Sequence, residues 1–303
     1  MSDFVFAPAT KAQAKARIAL NGPSGSGKTY TALTTAFALG QTVAVIDTER
    51  GSASKYAGLN GWAFDTLQMH RYDPRDLPRA LSAASKYDTV VVDSLSHFWM
   101  GQDGMLAQVD AAAKRSFGGN SFGGWKEARP MEREMVDALL SFPGHVIVTM
   151  RTKTEWVVDT NERGKSAPRR VGTKPVQRDG IEYEADIVGE MDLENTMVIT
   201  KSRCADLAGA VIRRPDEEFG RAVLAWLDDG VKLPAVEDYM DQAMRPDATF
   251  AELGALHAEV SRRNLLGAPM LDDAGEPTTL GDLINAKGRV AQQREREAAK
   301  ATA

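Results

Sequence analysis

Short apolar runs rich in β-branched residues alternate with longer stretches of helical periodicity through the first two-thirds of the chain. This alternation is typical of a mainly parallel sheet flanked by helices. The runs TVVVD and HVIVTM are apolar almost throughout, so they are expected to lie at the centre of the sheet, covered on both faces. We predict strands over residues 16–21, 42–47, 89–93 and 145–150, and helices that begin near Gly27, Pro74 and Trp125.

The pattern changes after the fourth predicted strand, where a long polar segment precedes two strand-like stretches, GIEYEADIVGEMD and NTMVITKSRC. We expect these stretches to form an antiparallel pair at one edge of the sheet. A helix over residues 216–227 closes this domain, and DDGVKLP suits a linker. Helical character returns at 251–266 and 280–303. The sequence therefore predicts an α/β domain over residues 1–233 and a small C-terminal helical extension over 234–303.

Composition narrows the class of protein. The 303 residues are 43% hydrophobic and 26% charged, which predicts a buried core and excludes wholesale disorder. The net charge of −5 argues against indiscriminate binding to nucleic acid or membrane, so a polyanion site must be local. No run approaches the roughly 18 apolar residues of a membrane span. With Cys204 as its one cysteine and four histidines without zinc-ligand spacing, the chain is expected to be a reduced, cytoplasmic protein.

A glycine-rich phosphate-binding motif directly follows the first predicted strand. It is a complete G-x-x-x-x-G-K-[ST] pattern, formed by Gly22, Pro23, Ser24, Gly25, Ser26, Gly27, Lys28 and Thr29. Such glycines let backbone N–H groups converge on phosphate oxygens at the positive end of a helix. Lys28 is expected to contact the β- and γ-phosphates, and the Thr29 hydroxyl to bind Mg²⁺. The motif predicts ATP and Mg²⁺ as cofactors, whereas the alternative is a glycine-rich turn with an incidental lysine.

A second ligand for Mg²⁺ is expected where a neighbouring buried strand ends. Asp93 ends the run TVVVD and fits this position. The alternative is that Asp93 caps the next helix, for which the sequence DSLSH is also suitable. Because the phosphate motif is present, the sequence favours Asp93 and Thr29 as the metal ligands.

Hydrolysis also needs a base that orients water, and no glutamate stands next to Asp93. The segment VAVIDTERG places Glu49 just beyond the second predicted strand, from which it could reach the γ-phosphate. From this position alone, a catalytic base and a solvated loop carboxylate are equally good interpretations.

Several motifs taken in chain order resemble the core of the RecA/RadA recombinases: GPSGSGKT, DTE with Tyr56 seven residues after Glu49, VVVDS, and a strand ending in TMR. The segments DTERGSASKYAG, HVIVTMRTKTEWVV and KPVQRDGIEYEADIVGEMD are more similar to the short RecA-like ATPases of bacteriophages, an AAA group associated with single-strand annealing and recombination. The resemblance covers roughly residues 3–233. It implies a RecA-like P-loop fold and an ATPase that works as an oligomer.

The resemblance also implies roles for single residues. Glu49 matches the glutamate that activates the attacking water, and Tyr56 matches an aromatic that stacks on adenine, with a core-facing tyrosine as the alternative. Thr149 stands where RecA has a polar γ-phosphate sensor, although RecA usually has glutamine there. Lys201 and Arg203 match basic residues that reach the γ-phosphate of the neighbouring subunit. Their alternative is an exposed strand with alternating charges.

A basic segment follows the predicted sensor strand, at the position of the second DNA-binding loop of the RecA family. Its sequence RGKSAPRRVGTKPVQR contains no acid and six basic residues: Arg163, Lys165, Arg169, Arg170, Lys174 and Arg178. Because the whole chain carries −5, the remainder carries −11, so the positive charge is concentrated here. We expect a flexible loop that binds single-stranded DNA through its phosphates. A lid over a nucleotide and a solvated excursion are the alternatives.

The sequence thus favours a Mg²⁺-dependent ATPase of phage type, stimulated by single-stranded DNA, that promotes annealing or strand exchange of DNA. It is expected to work as a homo-oligomer, either filament or ring, in the cytoplasm of a bacterial host. One alternative is a nucleotide-kinase-like phosphotransferase with the basic segment as its lid. Another is a nucleotide-switched binding module. The C-terminal helices could recruit a single-strand-binding protein, and no membrane partner is expected.

Overall fold

The computed structural model describes residues 11, 13–115, 121–160, 166–178, 180–272 and 274–301, with the backbone alone for 121, 154–160, 166–173 and 301. Its strands are β1 (Arg17–Gly22), β2 (Val43–Asp47), β3 (Asp65–Gln68), β4 (Thr89–Asp93), β5 (His145–Thr160), β6 (Ser166–Pro175), β7 (Ile187–Met191), β8 (Thr196–Ser202), β9 (Val211–Arg213), β10 (Pro269–Leu271) and β11 (Pro277–Thr279).

The α-helices are α1 (Lys28–Leu39), α2 (Asp76–Ala83), α3 (Ser96–Met100), α4 (Met105–Arg115), α5 (Ser121–Ser141), α6 (Glu217–Asp228), α7 (Val236–Met244), α8 (Phe250–Arg262) and α9 (Leu280–Ala301). Within the described ranges, none of these helices has the length and apolar character needed to cross a membrane.

Nine strands of the described chain form one sheet, in which eight follow the order β3-β2-β4-β5-β1-β7-β8-β9 and β6 pairs with β5. The pairs from β3 to β7 along this order are parallel, whereas β7–β8 and β8–β9 are antiparallel. The prediction of a mostly parallel α/β sheet flanked by helices, as in P-loop NTPases, is confirmed. The predicted antiparallel pair at one edge is also confirmed.

Alternating residues of the central strands bury their side chains on opposite faces of the sheet, as period-2 geometry requires. Ile18 and Leu20 join the apolar layer that contains residues of α1 and α6. Ala19 joins the opposite layer, with residues of α2 and α5. Val91 and Val90 divide between the two layers in the same way. Both faces of the sheet are therefore covered by apolar layers. This packing holds the central strands in place, and with them the polar residues at their carboxyl ends, such as Asp47 and Asp93.

The basic segment differs from its prediction as a flexible loop. Strand β5 does not end at Met150 but continues to Thr160, and β6 pairs with it in antiparallel register from Thr152–Pro175 to Thr160–Ser166. The sequence TKTEWVV that follows Arg151 begins by alternating β-branched with polar residues, a strand pattern that the charge of the segment obscured. The segment is therefore largely one arm of a long hairpin.

The C-terminal part has an apolar core of its own, built around Tyr239, Leu253 and Ile284 on α7, α8 and α9. It was predicted to be helical, but it also contains the antiparallel hairpin of β10 and β11. Three-residue strands are too short to give a clear period-2 pattern in the sequence. Ser82 of α2 approaches this hairpin, with its hydroxyl 3.5 Å from the carbonyl oxygen of Thr278. The boundary after residue 233 stays a prediction.

Candidate nucleotide site

The phosphate motif forms the turn between β1 and α1. Gly25 and Gly27 have φ angles of 83° and 85°, in the left-handed region that glycine adopts without strain. A Cβ at Gly22 would lie 2.7 Å from the carbonyl oxygen of Met191 on β7, so only glycine fits where these strands pass. The first turn of α1 contains no acidic residue. The positive end of that helix therefore remains suited to a phosphate.

Lys28 folds back over the loop that precedes it. Its ammonium donates to the carbonyl oxygens of Gly22 and Pro23, at 2.8 and 2.7 Å. Desolvation by burial lowers the pKa of Lys28, while the charges of Asp93 and Glu49 oppose that shift. The ammonium is thus held within the phosphate loop and in the field of two carboxylates. A phosphate bound in the loop would offer it stronger, charged acceptors than the two carbonyls.

Asp93 lies at the centre of a hydrogen-bonded group of side chains. The Thr29 hydroxyl donates to Asp93 Oδ2 at 2.7 Å, and the Thr149 hydroxyl donates to Asp93 Oδ1. Asp93 is 2% exposed, and burial raises its pKa, an effect opposed by the two hydroxyl donors. The structure therefore joins Thr29 to Asp93, the two predicted metal ligands. It also directs the hydroxyl of Thr149, the predicted phosphate sensor, at Asp93.

Thr29 and Asp93 suit Mg²⁺ better than a transition metal. Magnesium is usually held by one or two carboxylates, with phosphate oxygens and water completing its shell. In the described residues no three His, Cys, Asp or Glu side chains are grouped to hold a metal ion, which such a shell does not require. The neighbouring carboxylate of Asp47 is fully buried, and its Oδ2 has no partner among the described residues. An ion or its water shell next to Asp93 would give that orphaned oxygen a partner.

Glu49 lies just beyond β2 and is held by two contacts, one at its carboxylate and one at its backbone N–H. The guanidinium of Arg151 forms a two-pronged ion pair with it, in which Nε lies 2.9 Å from Oε1 and the terminal nitrogen contacts Oε2. The backbone N–H of Glu49 donates to Asp47 Oδ1 at 2.6 Å. Asp47 itself lies opposite Asp93 in the parallel register of β2 and β4. Glu49 is therefore fixed beside the phosphate loop, with its charge balanced by Arg151.

A cleft opens beside the phosphate loop, where Gly25 and Gly27 form part of its wall. We call it the base cleft. Tyr56 lines it together with Tyr30, and the centroids of their rings are 6.1 Å apart. Tyr56 is thus half-buried: it lines the base cleft and also packs against the apolar layer that contains residues of α1 and α6. Its stacking on adenine stays a prediction.

The opposite wall of the base cleft contains Asn195 and Arg214, which sequence reasoning did not identify. Both have positive φ angles, 60° and 51°, and the N–H of Arg214 donates to the carbonyl oxygen of Asn195 at 2.8 Å. A Cβ at Gly27 would lie 2.9 Å from the amide nitrogen of Asn195. The turn between β7 and β8 therefore closes over the phosphate loop. Only the position of Asn195 in a short turn between two predicted strands pointed to it.

Lys201 and Arg203 are not brought to the phosphate loop of their own chain. The ammonium of Lys201 donates to three backbone carbonyls between residues 182 and 185, at 2.6 to 3.0 Å. Arg203 pairs with Asp186 at 3.0 Å. Asp186 also accepts the N–H of Arg17, the first residue of β1, whereas the phosphate loop follows the last. Both cations therefore lie at the opposite end of the sheet, and a role in a neighbouring subunit stays a prediction.

Four of the six predicted DNA-binding residues are described, and they lie on β6 or just after it. Arg163 and Lys165 lie outside the described residues. Arg169 and Arg170 belong to β6, where their backbones pair with Val157 and Trp156 of β5, next to a register shift. Strand β5 also carries Thr149 and Arg151, so one continuous strand leads from the candidate site to the hairpin.

Lys174 and Arg178 stand nearer the body of the protein. Lys174 pairs in register with Lys153 near the base of the hairpin. Arg178 follows β6, and its guanidinium lies 3.4 Å from Glu132 and 3.1 Å from Glu184. Because Arg178 is shared by two carboxylates, its charge is already compensated within the chain. Contacts of either residue with DNA stay predictions.

Residues 14–211 match the model of a protein family described as an AAA domain. The matched region contains the phosphate loop, Glu49, Asp93 and both arms of the hairpin. No curated protein is similar enough in sequence to count as a relative.

Proposed function

The chain belongs to the AAA domain family of P-loop ATPases, and on this premise we propose that it couples Mg²⁺-dependent ATP hydrolysis to binding of single-stranded DNA, as an oligomer, in the cytoplasm of a bacterial host. One observation carries the ATPase part: Lys28, the bonded pair of Thr29 and Asp93, and Glu49 converge at one end of the sheet. These groups are a phosphate clamp, two metal ligands and a base, which P-loop hydrolysis requires together.

Each group has one task in this proposal. Lys28 leaves its two carbonyl acceptors and donates to the β- and γ-phosphates. Thr29 and Asp93 would hold Mg²⁺, which when bound supplies positive charge against the charge that develops on the phosphate oxygens. Glu49 accepts a hydrogen bond from the attacking water and takes its proton as the new oxygen–phosphorus bond forms. The bond between the γ-phosphorus and the β–γ bridging oxygen breaks at the same time, and ADP leaves with that electron pair. The base cleft would take the nucleoside, with Tyr56 against the base.

The ion pair of Glu49 with Arg151 supports a resting state with slow hydrolysis. While the guanidinium donates to both carboxylate oxygens of Glu49, these oxygens are less available as acceptors for the attacking water. Arg151 belongs to β5, which continues into the hairpin. We propose that DNA on the hairpin shifts this strand and frees Glu49.

The charge of the hairpin supports single-stranded DNA as the partner. Arg163, Lys165, Arg169, Arg170 and Lys174 contribute five positive charges to a chain whose net charge is negative. Lysine and arginine that neutralise phosphates release counterions, which makes such binding strongly dependent on salt. Arg178 is a weaker contributor in this proposal because Glu132 and Glu184 already share its charge.

An oligomer would bring Lys201 and Arg203 of one subunit towards the nucleotide of the next. For this, Lys201 has to exchange three carbonyl acceptors for a phosphate, and Arg203 has to leave Asp186. A charged phosphate is a better acceptor for Lys201 than the three carbonyls are, whereas Arg203 would exchange one anionic partner for another. The C-terminal helices are proposed to recruit a single-strand-binding protein.

The decisive experiment measures ATP turnover with and without single-stranded DNA at several salt concentrations. Lys28→Ala serves as the blank. Lys86→Ala, which replaces an exposed lysine outside the phosphate loop and the base cleft, serves as the matched control. We expect turnover in the wild type and the control, stimulation by DNA that fades with salt, and none of this in the blank. Turnover without DNA stimulation, together with phosphate transfer to a nucleoside, would overturn the DNA-linked ATPase.

A further inference from the structure

A polar cleft adjoins Glu49, and its lining contains no residue of the phosphate loop. It is formed where β2, β3 and β5 end or pass, and by the loops that follow them. We call it the Glu49 cleft, and the side chains that matter for its chemistry are those of Glu49, Arg50, Gln68, His70, Gln102 and Arg151. In parallel sheets, ligands bind at this carboxyl end of the strands.

The charges of the Glu49 cleft favour an anion. Among the described residues that line it, Glu49 is the one acid, and Arg151 already balances that charge. Arg50 is exposed and makes no ion pair with any described residue. Gln68 and Gln102 add amide N–H donors, and His70 adds an imidazole. The cleft therefore has an uncompensated guanidinium surrounded by neutral hydrogen-bond donors, a set that suits a phosphate group.

The floor of the cleft is held in place by His97. Its Nδ1 lies 2.7 Å from the hydroxyl of Thr48, which also accepts the N–H of Ser94 at 2.7 Å. The ring of Tyr72 stacks on the imidazole at 5.0 Å between centroids, and its hydroxyl donates to the carbonyl oxygen of Thr48. Because Nδ1 is engaged, Nε2 is the nitrogen of His97 that a ligand in the cleft could use.

The positive charge of Arg50 acts on His97 inside this cleft. Burial lowers the pKa of His97, and the positive charges of Arg151 and Arg50 lower it further, against the charges of Glu49 and Asp93. The imidazole is therefore kept neutral while two guanidinium groups act on it. An anion in the cleft would be attracted mainly by Arg50, because the charge of Arg151 is balanced by Glu49. The neutral His97 offers it a hydrogen bond rather than a charge.

Glu49 forms the boundary between this cleft and the phosphate loop. Its charge acts on Lys28 and Asp93 on one side, and its side chain lines the cleft on the other. Water that Glu49 orients attacks the γ-phosphorus from the side away from ADP, so the released phosphate starts out next to Glu49. The cleft that Glu49 lines also contains the guanidinium of Arg50, so positive charge is available to the phosphate on this side.

We propose that the Glu49 cleft is a second phosphate site, which receives the inorganic phosphate released by hydrolysis and guides it out past Arg50. This assignment rests on the proposed ATPase function. No bond is made or broken in the cleft. The site holds the phosphate by Arg50 and the neutral donors around it, until the phosphate leaves to solvent.

The test titrates inorganic phosphate into protein saturated with ADP and Mg²⁺, so that the phosphate loop is filled, and measures binding by calorimetry. We expect one equivalent to bind, and Arg50→Ala to weaken it by about 10-fold or more, the loss of a charge-assisted hydrogen bond. Gln68→Glu, which adds a negative charge to the cleft, should weaken it similarly. Arg79→Ala, whose arginine pairs with Asp76 outside the cleft, should bind as the wild type does.

Two further measurements separate this proposal from the ATPase itself. Lys28→Ala should lose ATP turnover but retain phosphate binding in the Glu49 cleft. If the wild type itself binds phosphate but shows no turnover, the proposed ATPase is refuted while the phosphate site is retained. In the wild type, added phosphate should slow turnover, and Arg50→Ala should raise its inhibition constant about 10-fold with KM for ATP unchanged.

Three results would overturn the proposal. The first is an ADP-loaded wild type that binds no phosphate. The second is an Arg50→Ala variant that binds phosphate as tightly as the wild type does. The third is transfer of labelled γ-phosphate to an added nucleoside monophosphate, blocked by Gln68→Glu, because the cleft would then hold a phosphate acceptor rather than a product.

Discussion

The carboxylate of Glu49 and the guanidinium of Arg151 face each other in a two-pronged ion pair, with Nε of Arg151 2.9 Å from Oε1. The pair joins the end of β2 to the middle of β5. Exposed ion pairs contribute little to stability, and the Arg151 side chain is 47% exposed. The consequence of this contact is therefore expected in the chemistry of Glu49 rather than in the free energy of unfolding.

Replacing Arg151 should release the base. In Arg151→Ala, Glu49 keeps its position through the bond of its N–H to Asp47 but loses the cation that occupies its oxygens. We expect ATP turnover without DNA to rise about 3- to 10-fold, as the removal of one competing charged contact implies. Lys153→Ala, two residues further along β5, is the matched control. A fall in turnover would instead assign Arg151 to transition-state stabilisation.

Glu49→Gln should retain ATP binding and lose hydrolysis. The amide has nearly the same shape as the carboxylate but cannot accept a proton from water, so turnover should fall by about 10²-fold or more. Binding of a fluorescent ATP analogue and single-turnover hydrolysis measure the two effects separately. Glu237→Gln, an exposed residue of α7, is the control. Near-normal turnover in Glu49→Gln would move the base to another residue.

Thr149→Val should disturb the metal site from behind. The valine removes the hydroxyl that donates to Asp93 Oδ1 and leaves a buried carboxylate oxygen without that partner. We expect a loss of about 1–3 kcal/mol in the free energy of unfolding, together with a higher Mg²⁺ concentration for half-maximal turnover. Urea denaturation and a Mg²⁺ titration measure these effects. Thr149→Ser keeps the hydroxyl, so its stability and its Mg²⁺ dependence should be those of the wild type. If Mg²⁺ dependence does not change, Thr149 acts only in stability.

The sequence predicted the parts of this site that follow from strand ends. Glycine spacing, and acids that end buried apolar runs, identify Lys28, Thr29 and Asp93 because parallel strands bring their carboxyl ends to one edge. Asp47 could have been added, since β2 and β4 are parallel neighbours that both end in aspartate. The strands β3 and β9 went unpredicted because edge strands of three or four residues with exposed side chains lack an apolar pattern.

Contacts between distant segments could not be predicted in this way. The pairing of Glu49 with Arg151 joins residues 102 positions apart, and its geometry depends on the exact path of two strands. Asn195 and Arg214 reach the phosphate loop because a turn and a strand end are tied together, which no local pattern specifies. Charge misled the prediction in the basic segment, because arginines and lysines on a strand resemble those of a loop.

Stability should decrease in mild acid because of His145. This buried imidazole accepts the N–H of Ala16 at Nδ1, and burial lowers its pKa from 6.5 to about 3. Below pH 6.5 the imidazole of the unfolded chain is protonated, whereas that of the folded chain stays neutral down to about pH 3. The stability that the neutral His145 contributes is therefore complete above pH 6.5 and is lost progressively as the pH falls to about 3. The loss should approach about 1.4 kcal/mol for each pH unit.

Urea denaturation between pH 7 and pH 5 measures this effect. In His145→Asn the amide oxygen can still accept the N–H of Ala16 but does not titrate, so the dependence on pH should flatten by about one proton. His257→Asn on α8 is the control and should retain the wild-type slope. Equal slopes in the wild type and His145→Asn would show that His145 is not the group that is protonated on unfolding.

Neutralising the hairpin should weaken binding to single-stranded DNA and reduce its dependence on salt. In the triple variant Arg169→Gln, Arg170→Gln and Lys174→Gln, the backbone pairing of β6 with β5 can persist while three positive charges are lost. Each phosphate contact contributes about −0.7 to the slope of log K against log salt for single strands, so the slope should become shallower by about 2. Fluorescence anisotropy at several salt concentrations measures both quantities.

A matched triple variant on the C-terminal helix, Arg289→Gln, Arg294→Gln and Arg296→Gln, should retain the wild-type slope. If the hairpin variant keeps its affinity, or if the helix variant changes the slope equally, DNA binds away from the hairpin.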